Sequence, residues 1–162
     1  MLLPSGPLRE SFSEINNCDL IFINGGKQNY KLIKKIKFKN KKIDIFKTNY
    51  FPTNLNEFNR EKKFLMFCGI GNPHEFENTL AKYNFNIIKK IIYPDHYKIL
   101  DKEINEIKKL AKKDKLKIIT TEKDYFRLNK IQKKGINFLK TKLKINNINK
   151  LKKILLNINE KN

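Results

Sequence analysis

Hydrophobic and polar positions divide the chain into short apolar runs and longer stretches with helical spacing. The apolar runs are bounded by turn residues and predict buried strands at 20–23, 64–68, 87–93, 116–119 and 136–139, the last with a continuation towards 143. Apolar residues at helical spacing predict helices at 8–15, 73–84, 101–111, 124–131 and 148–158, with Asp101 as the N-cap of the third. Because strands and helices alternate after residue 52, we predict an α/β fold with a mostly parallel sheet flanked by helices.

Apolar and polar residues nearly alternate between residues 36 and 51, on both sides of Asn40-Lys41-Lys42. This pattern predicts a two-stranded β-ribbon. The lysines between Lys31 and Lys42 either face lipid headgroups or form a solvated face, and we favour the solvated face. We therefore expect a linker at 36–51 between a first segment at 1–35 and an α/β domain at 52–162.

The net charge of +20 raises the question of an anionic partner, such as nucleic acid, a lipid surface or a phosphorylated substrate. Nearly all of the basic residues are lysines spread over every segment, and arginine occurs only at Arg9, Arg60 and Arg127. Phosphate and base recognition favours the planar fork of arginine. We favour a solvated lysine-rich surface and expect no specific nucleic acid. The alternative is a basic nucleic-acid- or anionic-lipid-binding module without catalysis.

The two cysteines, Cys18 and Cys68, form no CxxC pair and have no metal-like spacing with His74 or His96. No metal site is expected from them, and Cys68 lies in an apolar run typical of a core. The sequence has no apolar stretch of the roughly 18 residues that a membrane-spanning helix needs. We therefore expect a cytosolic location, with any membrane contact being peripheral.

Polar and turn residues concentrate in three loops that follow predicted strands. These loops are 69–72, 94–97 and 120–124. If the strands are parallel, all three loops lie at the carboxyl edge of the sheet, where open α/β folds bind ligands. The chemistry of the site is therefore expected at this edge.

Each loop leaves two interpretations open. Gly69, Gly71 and Asn72 precede a helix and suit an anion, although such turns are also common structural solutions, and no GxxxxGK[ST] loop occurs in the chain. A histidine beside a carboxylate, as in Asp95-His96, is suited to proton transfer, or it is an incidental surface turn.

The third loop groups hydroxyl, carboxylate and ammonium groups within five residues. It binds phosphate, or it caps the following helix through Thr121. The residues concerned are Thr120, Thr121, Glu122, Lys123 and Asp124.

Taken in order, these segments resemble the motifs of bacterial lipid A 4′-kinases (tetraacyldisaccharide 4′-kinases). LLPSGPLRE at 2–10 resembles the family's LLPAGPLRE, and ING at 23–25 is similar to its VNG. GIGNPHEF at 69–76 resembles GIGNPxxF, YPDHY at 93–97 resembles FPDHxxY, and TTEKD at 120–124 is identical to the family's TTEKD. The ordered set covers almost the whole chain.

The resemblance implies a P-loop-type kinase with two lobes joined by a β-ribbon, of which 1–35 would belong to the N-terminal lobe and 52–162 to the C-terminal lobe. Such a kinase transfers the γ-phosphoryl group of ATP, with Mg²⁺, to the 4′-hydroxyl of a tetraacyl glucosamine disaccharide 1-phosphate, a lipid A precursor. It works at the cytoplasmic face of the inner membrane. By this match His96 deprotonates or orients the sugar hydroxyl with Asp95 as its support, and Arg9 lies near a phosphate.

The family's ATP-binding loop, its Mg²⁺-holding carboxylates and the Asp partner of the histidine precede the segment that this chain matches. Phosphoryl transfer depends on these parts, so we expect the chain alone to be inactive. Met1 lies within a family motif, which suggests a gene fragment, a split enzyme with a separately encoded N-terminal lobe, or a misplaced start.

Overall fold

The computed structural model of the chain describes residues 10–24 and 30–159. The chain divides into two compact units, one formed by 1–50 together with 143–162 and the other by 51–142. Arg9 and most of the LLPSGPLRE segment lie outside the described residues.

The described residues of the first unit form a three-stranded sheet and two α-helices. Its strands lie in the order β1-β2-β7, with β1 at Leu20–Asn24, β2 at Asp44–Pro52 and β7 at Thr141–Ile145. The helices are α1 (Tyr30–Lys39) and α6 (Ile148–Asn159), and a 3₁₀ helix spans Phe12–Asn17. Strands β1 and β2 are parallel. Ile23, Ile36 and Ile43 form the buried core, on which Phe12 and Ile15 pack.

The two-stranded ribbon predicted at 36–51 is wrong in its first half. Residues up to Lys39 belong to α1, and the side chain of Asn40 then accepts the N–H groups of Lys42 and Ile43. Over a few residues, a mixture of lysine and apolar residues fits the period of a strand and that of a helix equally well. Burial of Ile36 against the core of the first unit favours the helix. The second half is a strand, but its partners are β1 and β7.

The terminal helix is also placed differently from the expectation. Helix α6 belongs to the first unit rather than to a lobe at 52–162, and Lys150 forms an ion pair with Asp44 at the start of β2. The division between the units falls after Tyr50 on one side and before Leu143 on the other, so both β2 and β7 contain it.

The second unit is an α/β fold with a parallel sheet in the order β4-β3-β5-β6, as predicted. Its strands are β3 (Lys63–Cys68), β4 (Asn86–Ile92), β5 (Lys117–Thr121) and β6 (Ile136–Leu139). Its helices are α2 (Pro73–Lys82), α3 (Asp101–Lys113), α4 (Glu122–Arg127) and α5 (Lys130–Lys133), with a 3₁₀ turn at Leu55–Glu57.

Strand β3 has a core on each of its faces because successive side chains point to opposite sides of a sheet. Leu65 and Phe67 pack on the side of α3, against Ile104 and Ile107. The remaining apolar residues of β3 pack on the side of α2, together with Leu80. This two-sided burial explains why β3 is an unbroken apolar run, as central parallel strands are.

Three details of the second unit differ from the sequence prediction. Leu100 rather than Asp101 is the N-cap of α3, and its N–H donates to the side chain of Glu103. The single helix expected at 124–131 is two short helices, because Asn129 caps α5 with its own side chain. The strand expected from 136 towards 143 is divided between β6 and β7, which belong to different sheets.

Candidate functional site at the carboxyl edge of the parallel sheet

The loops after β3, β4 and β5 meet at one edge of the sheet, as the parallel prediction required. The N–H of Tyr93 donates to the carbonyl oxygen of Cys68 across 2.8 Å, which extends the β3–β4 contact beyond the strands. A Cβ atom placed on Gly71 would lie 3.0 Å from Oδ2 of Asp95. This close approach explains a residue without a side chain at position 71.

The loop after β4 is a tight turn that presents His96. The N–H of Tyr97 donates to the carbonyl oxygen of Pro94 across 3.1 Å, and His96 has a φ of 63°. A positive φ in the third position is the mark of a type II turn, and histidine tolerates it better than most side chains do. The rings of Tyr93 and Tyr97 stack with centroids 5.1 Å apart beside the turn. The side chain of His96 is 73% exposed.

The two ring nitrogens of His96 differ in their surroundings. Nη2 of Arg127 lies 3.0 Å from Nδ1 of His96. A guanidinium group has donors and no acceptor, so Nδ1 is the acceptor and the neutral ring carries its proton on Nε2. Nε2 lies 3.7 Å from Oδ2 of Asp95, beyond hydrogen-bond distance. Nε2 is therefore the ring atom that remains available to a substrate.

Asp95 lies between His96 and Lys123. Its Oδ1 accepts the N–H of His96 at 2.9 Å and lies 3.3 Å from Nζ of Lys123. Partial desolvation acts to raise the pKa of Asp95, but the hydrogen bond from Lys123 and the charges of His96 and Lys123 outweigh it and lower that pKa. Asp95 is consequently ionised at neutral pH, next to an exposed ammonium group.

Asp124 is the buried anchor of the site, with a side chain only 2% exposed. Its Oδ2 accepts the N–H of Gly69 at 3.0 Å and the hydroxyl of Thr121 at 2.7 Å. Its Oδ1 lies 3.7 Å from Nη1 of Arg127. Asp124 thus connects the loop after β3 to the helix that carries Arg127.

The TTEKD segment at 120–124 was expected either to bind phosphate or to cap the following helix, and the structure shows the capping arrangement. The hydroxyl of Thr121 accepts the N–H of Asp124 at 3.1 Å as the N-cap of α4. Thr120 is fully buried, and its hydroxyl donates to the carbonyl oxygen of Phe67. Both hydroxyls thus bond within the protein, and phosphate contact by this segment stays a prediction. Lys123 is the exposed cation of the segment.

The remaining predicted residues have local roles. Asn72 caps α2 by accepting the N–H of Glu75 at 3.2 Å, and Oε2 of Glu122 accepts the N–H of Thr141 at 3.3 Å. The N–H of Gly69 is bonded to Asp124, so it is not a free donor for an anion. Among the described residues, four of the predicted ones form an exposed cluster at the sheet edge: Gly71, Asp95, His96 and Lys123.

Sequence reasoning missed Arg127 as a member of the site. Two signals could have found it. Arginine is rare in a chain whose other basic residues are almost all lysines, and Arg127 follows Asp124 by three residues, which places both on one helix face.

A cavity of about 670 Å³ opens beside His96 and Arg127. One wall is the segment 96–101 and the other comprises Asp124 and residues 127–129 and 132. Two of the lining residues are hydrogen-bonded to each other: Oδ1 of Asp101 accepts a hydrogen bond from Nε2 of Gln132 at 2.8 Å. The cavity gives the site a lined space large enough for part of a small ligand.

The part of the chain that the structure describes contains no group of three or more His, Cys, Asp or Glu side chains placed to hold a metal ion. These described residues by themselves therefore offer no cluster for the Mg²⁺ ion that the resemblance implies. The same described ranges contain no helix that is both long enough and apolar enough to cross a bilayer.

A family model described as Tetraacyldisaccharide-1-P 4′-kinase matches residues 1–160 of the chain. A tetraacyldisaccharide 4′-kinase of Pelagibacter ubique is 39% identical over 163 residues, which cover 100% of this chain and 52% of that protein. The corresponding protein of Rickettsia typhi is 34% identical over 147 residues, covering 90% of this chain and 44% of its own length. The chain thus spans about half the length of the curated relatives that it matches.

A solved structure has the same fold. The "apo" form of LpxK from Aquifex aeolicus, crystallised in complex with ATP, superposes with a TM-score of 0.63 over 97% of this chain and 48% of that one. At 23% identity this likeness shows the fold alone.

Proposed function

Because the chain belongs to the tetraacyldisaccharide 4′-kinase family, we propose that it forms the C-terminal part of a kinase that phosphorylates a lipid A precursor. The reaction is transfer of the γ-phosphoryl group of ATP to the 4′-hydroxyl of a tetraacyl glucosamine disaccharide 1-phosphate. The family assignment supports the reaction, and the sheet edge with His96 supports the place where this chain takes part in it.

The observation that carries the proposal is the geometry of His96. Its ring is exposed at the carboxyl edge of a parallel sheet, with Nδ1 taken by Arg127 and Nε2 free to face a substrate. In the neutral ring Nε2 bears the proton, so His96 donates a hydrogen bond to a substrate oxygen. This favours the orienting role of His96 over the deprotonating one.

The charged residues around His96 suit a phosphorylated substrate. Lys123, Arg127 and Lys98 carry positive charge beside the ring and the cavity, and phosphoryl transfer proceeds by positioning and charge neutralisation. Asp95 holds Lys123 in this group through its ionised carboxylate. Arg9, outside the described residues, is proposed to lie near a phosphate on the family motif alone.

The ATP-binding loop, the Mg²⁺ ligands and the aspartate partner of His96 are proposed to come from the half of the family length that this chain does not span. That half is either continuous with the chain or a separately encoded N-terminal lobe. The proposed place of work is the cytoplasmic face of the inner membrane, with peripheral contact, because the acceptor is a lipid.

The test is a fusion of the N-terminal half of the Pelagibacter ubique relative to this chain. Transfer from radiolabelled ATP to the tetraacyldisaccharide 1-phosphate is measured for the fusion and for the 162-residue chain. We expect turnover by the fusion and none by the chain alone. His96→Ala should lower kcat of the fusion by about 10²–10⁴-fold.

His74→Ala is the matched control, because His74 is 86% exposed in the first turn of α2 and its described ion-pair partner is Glu77. It should leave turnover unchanged. A folded fusion that binds ATP but phosphorylates no disaccharide would contradict the proposal. Full activity of the His96→Ala fusion would remove His96 from the site.

A further inference from the structure

Arg127 connects the exposed ring of His96 to the buried core of the site through two different nitrogen atoms. Nη1 faces Oδ1 of Asp124 at 3.7 Å, and Nη2 lies 3.0 Å from Nδ1 of His96. The fork of a guanidinium group presents donors in two directions at once, which the single ammonium of a lysine does not. This bridge therefore depends on arginine at position 127.

The anchor of this bridge is rigid. Asp124 is nearly completely buried, and its Oδ2 is held by the N–H of Gly69 and the hydroxyl of Thr121. Gly69 directly follows strand β3, and Thr121 is the last residue of strand β5. These are the two central strands of the sheet. The carboxylate of Asp124 is thus held in place by residues at the ends of β3 and β5. The guanidinium of Arg127 is positioned by its contact with this carboxylate.

We propose that Arg127, held by Asp124, is a positioning residue that fixes His96 in the tautomer with the proton on Nε2. A donor at 3.0 Å from Nδ1 favours a lone pair there and excludes a proton on that atom. The proposal rests on the proposed function for its catalytic meaning, because it explains how the exposed ring keeps Nε2–H directed at the substrate. The tautomer itself is a property of this chain and is measurable without any activity.

The first experiment is ¹⁵N NMR of the imidazole rings of the histidine-labelled chain at about pH 8, where a free histidine side chain is neutral. The sequence contains only two histidines. His74 has no arginine partner among the described hydrogen bonds; it is 86% exposed, and its Nδ1 lies 3.8 Å from Oε2 of Glu77. It is therefore the internal reference for an exposed ring without a donor at Nδ1. His96 should show two well-separated ring resonances, one protonated at Nε2 and one unprotonated at Nδ1.

Arg127→Met should reduce the separation between the two ring nitrogen resonances of His96 towards that of the reference ring of His74. Asp124→Asn should collapse it in part, since Arg127 loses its charged anchor. Arg127→Lys should restore only part of the separation. Arg60→Met is the matched control, because Arg60 is exposed and its described side-chain hydrogen bond goes to the carbonyl oxygen of Tyr83 at 3.5 Å. It should leave both histidine spectra unchanged.

Two results would overturn the proposal: averaged His96 resonances in the unaltered chain, or an unchanged His96 spectrum in a folded Arg127→Met variant. Thermal unfolding of each variant reports whether it is folded. The side chain of Arg127 is 36% exposed, so it lies at the surface rather than in the core. If Arg127→Met nevertheless unfolds the chain, Arg127→Lys decides, and a His96 spectrum identical to that of the unaltered chain then counts against the proposal.

A double-mutant cycle in the fusion separates positioning from direct phosphate contact. If Arg127 acts through His96, Arg127→Met lowers kcat in the fusion but has no further effect in the His96→Ala background. Multiplicative losses would mean that Arg127 acts on the substrate by itself. An inactive fusion with the expected tautomer would contradict the proposed function and leave the positioning role intact.

Discussion

The backbone N–H of Gly69 donates a hydrogen bond to Oδ2 of Asp124 across 3.0 Å, although 55 residues separate them in sequence. The bond joins the end of strand β3 to the first turn of helix α4. Because Asp124 also accepts the hydroxyl of Thr121 and faces Arg127, one buried carboxylate holds three segments of the site.

Asp124→Ala should lower the free energy of unfolding by about 2–4 kcal/mol, because it leaves the N–H of Gly69 and the hydroxyl of Thr121 without their buried acceptor. Urea unfolding followed by circular dichroism measures it. Glu106→Ala on the exposed face of α3 is the control and should change stability by less than about 0.5 kcal/mol. Equal small effects of both substitutions would show that Asp124 is not a structural anchor.

The positive φ of His96 predicts an unusual order of substitutions. His96→Val should cost about 1–2 kcal/mol, since β-branched residues tolerate φ = 63° poorly, whereas His96→Gly should leave stability within about 1 kcal/mol of the original. His74→Val, at a helical position, should cost only about 0.5 kcal/mol. Chemical denaturation of the three variants tests the order, and a larger loss for His96→Gly than for His96→Val would refute the turn.

The two thiols should differ sharply in reactivity. Burial raises the pKa of the Cys68 thiol to about 11, whereas Cys18 is exposed. Since the thiolate is the reactive form, a disulfide reagent at about pH 8 should modify Cys18 promptly and Cys68 only at the rate of unfolding. Cys18→Ser should remove the fast phase and Cys68→Ser the slow one. Two fast phases in the folded chain would contradict a buried Cys68.

Asp95 should report the contact with Lys123 through its titration. The contact lowers the pKa of Asp95 from its ordinary value of 3.8, so Lys123→Met should raise it, as carboxyl ¹³C NMR would show. The folded-state pKa lies below the unfolded one, so the stabilisation is present above about pH 3.8 and is lost as the pH falls through the folded-state pKa.

Lys98→Met is the control for this titration, because Lys98 is an exposed cavity residue without a described hydrogen bond to Asp95. It should leave the pKa of Asp95 nearly unchanged. An equal response to both lysine substitutions would mean that general charge, rather than the Lys123 contact, sets the pKa.

The sequence predicted the parallel sheet well because each strand of the second unit is a local apolar run. β3 to β6 were found from such runs, and α2 was found from Asn72 and Pro73 at its start. The ribbon at 36–51 failed because a short alternation of lysine and apolar residues fits a helix equally well. Burial of Ile36 decided this point, and burial is not a local property.

The candidate site shows the same division. His96, Asp95 and Lys123 were found from their loops, because turn residues after apolar runs mark a sheet edge. Arg127 was missed, since its importance lies in contacts with His96 and Asp124 rather than in a motif.

By itself the sequence determined the α/β class, the parallel direction of the strands in the second unit and the three loops at one edge of the sheet. These features follow from local periodicity and turn chemistry. The tertiary structure alone decided that Thr120 and Thr121 bond internally, that α6 belongs to the first unit, and that Nδ1 of His96 is occupied by Arg127. Apart from the bond between Thr121 and Asp124, these contacts join residues far apart in the chain. Only distances in the folded protein determine which donor meets which acceptor in them.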